Sequence, residues 1–183
     1  MNNKLRPKMS VYIATSIDGY IARKNDGLDW LENFNPPPES PDEDYGFKKF
    51  LASVDALVMG KNTYKIASSV DTWPYQEKRV IVLSSTLSSV CDRAEIYAGD
   101  IVHLIKKLYS EGIKHIYVDG GKTISQFLNE GLIDELIISI IPVILGSGIP
   151  LFNHIPHESW CHLVSSQAYS NGFMQLRYEV VER

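Results

Sequence analysis

The stretch Lys114-His115-Ile116-Tyr117-Val118-Asp119-Gly120-Gly121-Lys122-Thr123-Ile124-Ser125-Gln126-Phe127-Leu128 passes from an apolar strand through two adjacent glycines into a helix. Junctions of this kind are where α/β proteins hold phosphates. Glycine has no Cβ and accepts φ > 0, so a ligand can approach the backbone N–H groups of Gly120 and Gly121. The helix opening near Thr123 adds unpaired N–H donors and the positive end of a dipole. The same residues also suit a plain tight turn, because the pattern is neither G-x-G-x-x-G nor Walker A. On this segment alone both readings stay open.

On either side of this unit the strand–helix alternation repeats. Ser10 to Ile17 reads as a strand, and Asp18-Gly19 before Tyr20-Ile21-Ala22 signals a hairpin turn. Asn25 to Pro41 is polar, proline-rich and long for a connection, as binding loops and lids are. Ser40-Pro41-Asp42-Glu43 has the form of a capping box, and Phe47, Phe50, Leu51 and Val54 follow at helical spacing. The pattern predicts a helix from about Pro41 to Ser53. Strands are expected at Ala56 to Met59 and Arg79 to Leu83, with a helix over Asn62 to Ala67 between them. Asp100 caps a helix that Gly112 stops, and the helix after Gly121 stops at Gly131. Such alternation implies a parallel sheet covered on both faces, with ligands beyond the carboxyl ends of the strands, where Gly60, Ser84 and Gly120 fall. Leu136 to Leu145 is almost continuously apolar and predicts a central strand buried on both faces. Met174 to Val180 alternates, and Asn171-Gly172 turns it back on a strand around His162 to Tyr169 as an antiparallel hairpin.

With 183 residues, 44% of them hydrophobic, the chain suits a single domain over 1–183, residues 1–8 forming a flexible leader. A formal charge of −4 offers no basic face for nucleic acid or acidic lipid, and no window approaches a membrane span. A cytoplasmic protein that handles a small molecule is the expectation. Cys91 and Cys161 are too few and too separated for a disulfide framework. His154 and His157 form an H-x-x-H with a proline between them and no partner at metal-ligand spacing, so no metal is expected.

Five segments recur in a recognisable order. They are Ser16-Ile17-Asp18-Gly19-Tyr20, Val58-Met59-Gly60-Lys61-Asn62-Thr63, Val82-Leu83-Ser84-Ser85, Val118-Asp119-Gly120-Gly121-Lys122, and the run from Gly131 through Gly146-Ser147-Gly148 to Phe152. Together they strongly resemble the dihydrofolate reductase-like superfamily, closest to the C-terminal reductase domain of the bifunctional riboflavin-biosynthesis deaminase–reductase and its stand-alone bacterial relatives. The resemblance covers about Met9 to Val181. It implies an α/β fold in three layers, α/β/α, with a mostly parallel central sheet and the C-terminal antiparallel hairpin. It also implies an NADPH-dependent oxidoreductase that delivers hydride to a C=N or C=O of a small pyrimidine- or pterin-like heterocycle, like the 5-amino-6-(5-phosphoribosylamino)uracil reductase domain.

Carried over by that resemblance, Gly120, Gly121, Lys122 and Thr123 approach the cofactor pyrophosphate. Gly60, Lys61 and Thr63 match a phosphate-holding Gly-Arg-x-Thr segment, and Ser84 and Ser85 match the strand end beside the adenosine 2′-phosphate. Asp18 belongs to a Ser-x-Asp-Gly motif expected beside nicotinamide and substrate, with Ser16; it also fits an ordinary Asp-Gly turn. Asp44 resembles the substrate carboxylate of dihydrofolate reductases and equally suits a first helical turn. Phe47 and Phe50 are substrate platform or core, and Gly146 borders the ligand or belongs to a plain loop. The relatives also imply a homodimer, built partly through the terminal hairpin whose edge is otherwise open. Dihydrofolate reductase proper and a non-catalytic nucleotide-binding protein on the same fold remain alternatives. The chain lacks the H-x-E and P-C-x-x-C zinc signature of a deaminase.

Overall fold

Residues of period two on the strands and 3.6 on the helices condense into three layers. The computed structural model describes residues 5–32, 34–75 and 77–181. Its elements are β1 (Lys8–Ser16), β2 (Tyr20–Ala22), α1 (Asp29–Glu32), α2 (Phe47–Ser53), β3 (Ala56–Gly60), α3 (Lys61–Ser69), β4 (Arg79–Leu83), β5 (Ala94–Tyr97), α4 (Ile101–Ser110), β6 (His115–Asp119), α5 (Gly121–Asn129), β7 (Glu135–Ile141), β8 (Ile149–Pro150), β9 (Cys161–Ala168) and β10 (Met174–Val180). The main sheet has the order β5-β4-β3-β6-β1-β7-β10-β9, and β2 pairs with β8 separately. From β5 to β7 every pairing is parallel; β10 and β9 continue it antiparallel. This is the expected fold class. Among the described residues no helix is long and apolar enough to cross a membrane.

Alternation along the central strands supplies two cores. Met9, Val11, Ile13, Val58 and Val118 face Leu104, Leu108, Ile124 and Phe127 of α4 and α5. Their neighbours Leu57, Met59 and Tyr117 face Phe50, Tyr64 and Ala67 of α2 and α3. Such burial stabilises by about 25 cal/mol per Å² of apolar surface and fixes the register of the strand ends.

Several boundaries differ from the sequence reading. The helix expected from Pro41 begins only at Phe47, because Tyr45 and Gly46 adopt left-handed φ of 55° and 86°. Asp44, rather than Ser40, satisfies the helix start, accepting from Lys48 N at 3.0 Å. The apolar run from Leu136 ends as a strand at Ile141, where Pro142 lacks an N–H for the ladder. The central places in the sheet belong to β6 and β1, not β7. Asp18-Gly19 does turn the chain, yet β2 pairs with β8 instead of folding back on β1. The edge strand β5 escaped the sequence reading because it is short and largely unburied. Of the expected flexible leader, residues 1–4 lie outside the described residues, whereas Arg6 grips Asp134 at 2.7 and 2.8 Å and Lys8 opens β1.

Candidate active site

Because β3, β4 and β6 are parallel, Gly60, Leu83 and Asp119 emerge at one edge of the sheet. The loops beyond them line a cavity of about 1010 Å³, at the upper end of the range for small-molecule sites. Helices α3 and α5 both start at its wall. A Cβ on Gly60 would lie 3.1 Å from Thr123 Oγ1, and one on Gly120 would strike Thr63 Oγ1. The third residue of each helix therefore fills the space left by the glycine that precedes the other. Gly120 also holds φ at 90°, where side chains are strained.

Gly121 serves a different purpose from Gly120. A Cβ there would lie 2.6 and 2.9 Å from the carbonyl oxygens of Pro150 and Leu151, so its absence seats α5 on that segment. The Gly120 N–H already donates to Asp119 Oδ1 at 2.7 Å, and so does not face a ligand as the sequence reading had it. The first helical bond of α5 is Ile124 N to Gly120 O, 2.8 Å. The N–H groups of Gly121, Lys122 and Thr123 precede it and have no carbonyl a turn behind them. Those of Lys61, Asn62 and Thr63 stand likewise at the start of α3. Two positive dipole ends and two lysines thus border one cavity.

Away from the helix starts, Ser84 Oγ accepts from Thr86 N and Leu87 N at 3.1 and 3.0 Å. Lys61 Nζ donates to Thr86 Oγ1 at 3.1 Å. Lys61, Ser84, Ser85 and Thr86 thereby form one polar corner of the cavity, with Tyr97 and Gly99 beside it. Sequence reading missed Thr86, whose only signal was its place just beyond a strand end.

Asp119 carries the most perturbed carboxyl of the cavity. It is reachable through the cavity but hemmed in by protein elsewhere, and this desolvation raises it to about 6; hydrogen bonds from Gly120 N–H and Tyr75 act the other way. Tyr117, whose hydroxyl donates to Tyr12 O at 2.8 Å, and Tyr75 are both raised, chiefly by burial. Sequence reading missed Asp119 as well, although its place at the carboxyl end of a strand against Gly-Gly was a signal that could have found it.

Past Tyr12 and Leu31 lies a smaller cavity of about 190 Å³, walled by Phe34, Tyr45 and Phe173 and bordered by Asp44 and Ser139. Tyr12 Oη donates to Tyr45 O at 2.7 Å, and Gln175 Nε2 reaches Tyr12 Oη and Ser139 Oγ at 3.0 and 3.2 Å. Burial pushes the Tyr12 phenol up to about 12.

The model of the RibD C-terminal domain matches residues 7–175. The chain belongs to the RibD C-terminal domain family. Within it, YwjB of Bacillus subtilis is 32% identical over 93% of this chain and 97% of its own length. The riboflavin biosynthesis protein RibD of Corynebacterium ammoniagenes is 26% identical, the match covering 81% of this chain and 47% of that protein. A Shewanella sp. PV-4 protein, provisionally assigned to riboflavin biosynthesis, superposes with a TM-score of 0.88 at 39% identity, covering 96% of this chain and 99% of that one. The Thermotoga maritima deaminase/reductase shares the fold at 16% identity, TM-score 0.75, over 97% of this chain and 58% of that one.

Against that frame of RibD-type domains, all nine residues expected at the cofactor line the large cavity: Gly60, Lys61, Thr63, Ser84, Ser85, Gly120, Gly121, Lys122 and Thr123. Phe47 lines it too. Phe50 does not; it is buried between α2 and the sheet, edge-on to Tyr117. Asp44 borders the smaller cavity. Asp18, Ser16 and Gly146 border neither cavity. Ser16 Oγ donates to Asp18 Oδ1 at 2.6 Å, and the Asp18 carboxylate accepts from Leu145 N and Gly146 N at 3.1 and 2.7 Å. These bonds, the Ser16 hydroxyl foremost, hold its carboxyl below the ordinary range. Engaged in this way, the Asp18 carboxylate braces two loops against each other.

Proposed function

We propose that this chain is an NADPH-dependent reductase of small heterocycles, with hydride passing to a C=N or C=O carbon. The observation that carries this reading is the pairing of a two-helix phosphate cradle with the perturbed carboxyl of Asp119 in one cavity. The residues present fit the cofactor: the uncommitted N–H groups of α3 and α5 with Lys122 suit a pyrophosphate, and Lys61, Ser84, Ser85 and Thr86 suit a 2′-phosphate. NADPH, when bound, supplies the hydride. The chain supplies the proton, and Asp119, raised to about 6, keeps one to higher pH than an ordinary aspartate does. Asp44 and Ser139 hold the heterocycle and Asp18 braces the loop at Gly146.

Thermal-shift screening tests the reading: NADPH at about 100 times its Kd adds roughly 2.7 kcal/mol of stability. NADPH giving no shift would reject it. Dihydrofolate turnover is the check on the alternative that Asp44 favours, a dihydrofolate reductase proper.

The basic corner sets cofactor preference. Lys61→Ala is expected to weaken NADPH about tenfold and leave NADH nearly unchanged, since a charge-assisted bond contributes roughly 1.5–3 kcal/mol. Titrating both cofactors against both proteins measures it; equal losses would move Lys61 to the pyrophosphate.

We further propose a homodimer through β9. Every residue of this edge strand is exposed, Leu163 and Val164 among them, and Trp160 beside it is 74% exposed. An unpaired edge with apolar side chains matches its own copy across a twofold axis. Light scattering should give twice the chain mass at micromolar concentration, and a monomer would sink the proposal.

A further inference from the structure

The two ends of the binding region differ in charge. Both lysines that line the large cavity, Lys61 and Lys122, stand at the helix starts. The opposite end is walled by Tyr12, Ala14, Leu31 and Phe47 and shares the first three with the smaller cavity. There the charged residue is Asp44, whose oxygens accept from Gly46 N and Lys48 N at 2.9 and 3.0 Å. Each oxygen keeps a lone pair to offer. Ser139 accepts from Gln175 and keeps its own hydrogen to donate. The space is about 190 Å³, against the roughly 150 Å³ of a cavity that takes benzene.

We infer, on the reductase reading above, that the molecule reduced here is an unphosphorylated one-ring heterocycle, with N–H donors toward Asp44 and an acceptor toward Ser139. A single substituted ring fills this volume between aromatic walls. A ribose phosphate on such a ring would bring a charge of nearly −2 to a cavity whose one charged lining residue, among the described residues, is Asp44, a carboxylate, and like charges across a binding interface are strongly disfavoured. The chain thus departs in substrate from the phosphoribosyl compound in the name of the Thermotoga maritima relative.

Calorimetry on the full-length, NADPH-loaded protein tests this with matched pairs: cytosine against cytidine 5′-monophosphate, and uracil against uridine 5′-monophosphate. Each base should bind at least about tenfold tighter than its nucleotide. Asp44→Asn, which keeps an acceptor for the loop, should narrow that gap to about threefold or less, and Ser139→Ala should weaken the bases without restoring the nucleotides. Nucleotides binding as tightly as bases would overturn the inference, as would binding of neither. A protein that does not load NADPH at all would reject the reductase reading instead, and is seen before any base is added.

Discussion

Asp119→Asn should make the protein more stable above pH 6 while lowering its turnover by roughly a hundredfold or more, the range of a positioned general acid. Burial raises the Asp119 carboxyl to about 6, above the ordinary 3.8. The fold therefore favours the protonated form, and the stability it gains is complete below the ordinary value and lost as pH rises through about 6. Above that pH the wild type keeps an anion in a desolvated wall. The displacement is worth up to about 3 kcal/mol, and water in the cavity reduces it to about 2. Asparagine keeps an acceptor for Gly120 N–H without the charge, which corresponds to a gain of about 5 °C in Tm at pH 8. At pH 4 the two proteins should melt together. Melting curves at both pH values, with NADPH turnover beside them, check the result. A variant that gains no stability at pH 8 would show that Asp119 is solvated, and one with full turnover would take the proton from elsewhere.

Gly120→Ala should cost about 1–3 kcal/mol of stability and weaken NADPH by roughly a hundredfold. The first term comes from placing an L side chain at φ 90°. The second comes from Thr63: the new Cβ takes the space of its Oγ1, so the start of α3 must shift and misaim its N–H donors. Gly121→Ala meets rigid backbone oxygens of Pro150 and Leu151 instead and should damage folding more than binding. Denaturation midpoints and cofactor titrations on both variants separate the cases. Equal binding by Gly120→Ala and wild type would mean that Thr63 yields without moving its helix.

Periodicity and strand-end punctuation made most of this fold legible. Arg79–Leu83 and the helix capped by Asp100 stand where their residues place them, because their apolar spacing coincides with the buried face. Pro41–Gly46 misled, since a capping-box sequence is only a local preference and Tyr45 is held out of helix by stacking on Phe173 at 3.8 Å. The proposed nucleotide cradle was readable because its residues adjoin strand ends. The heterocycle end was not: Tyr12, Ser139 and Gln175 come from three strands and meet only through the order of the sheet. Asp18 is the converse case, in which a motif position was visible while its three bonds to Ser16, Leu145 and Gly146 were not.

The reciprocal seating of Thr63 against Gly120 and Thr123 against Gly60 bears on how this site can evolve. A side chain at 120 would displace the Thr63 hydroxyl and one at 60 would press on that of Thr123, so neither glycine can change unless the threonine facing it gives way. A larger residue at 63 or 123 must await a compensating shift of the facing turn, and the two halves of the cradle are inherited as a unit. On the proposed reading, a change of heterocycle would be met at Phe34, Asp44 and Ser139, which line the smaller cavity, and would leave this lock untouched.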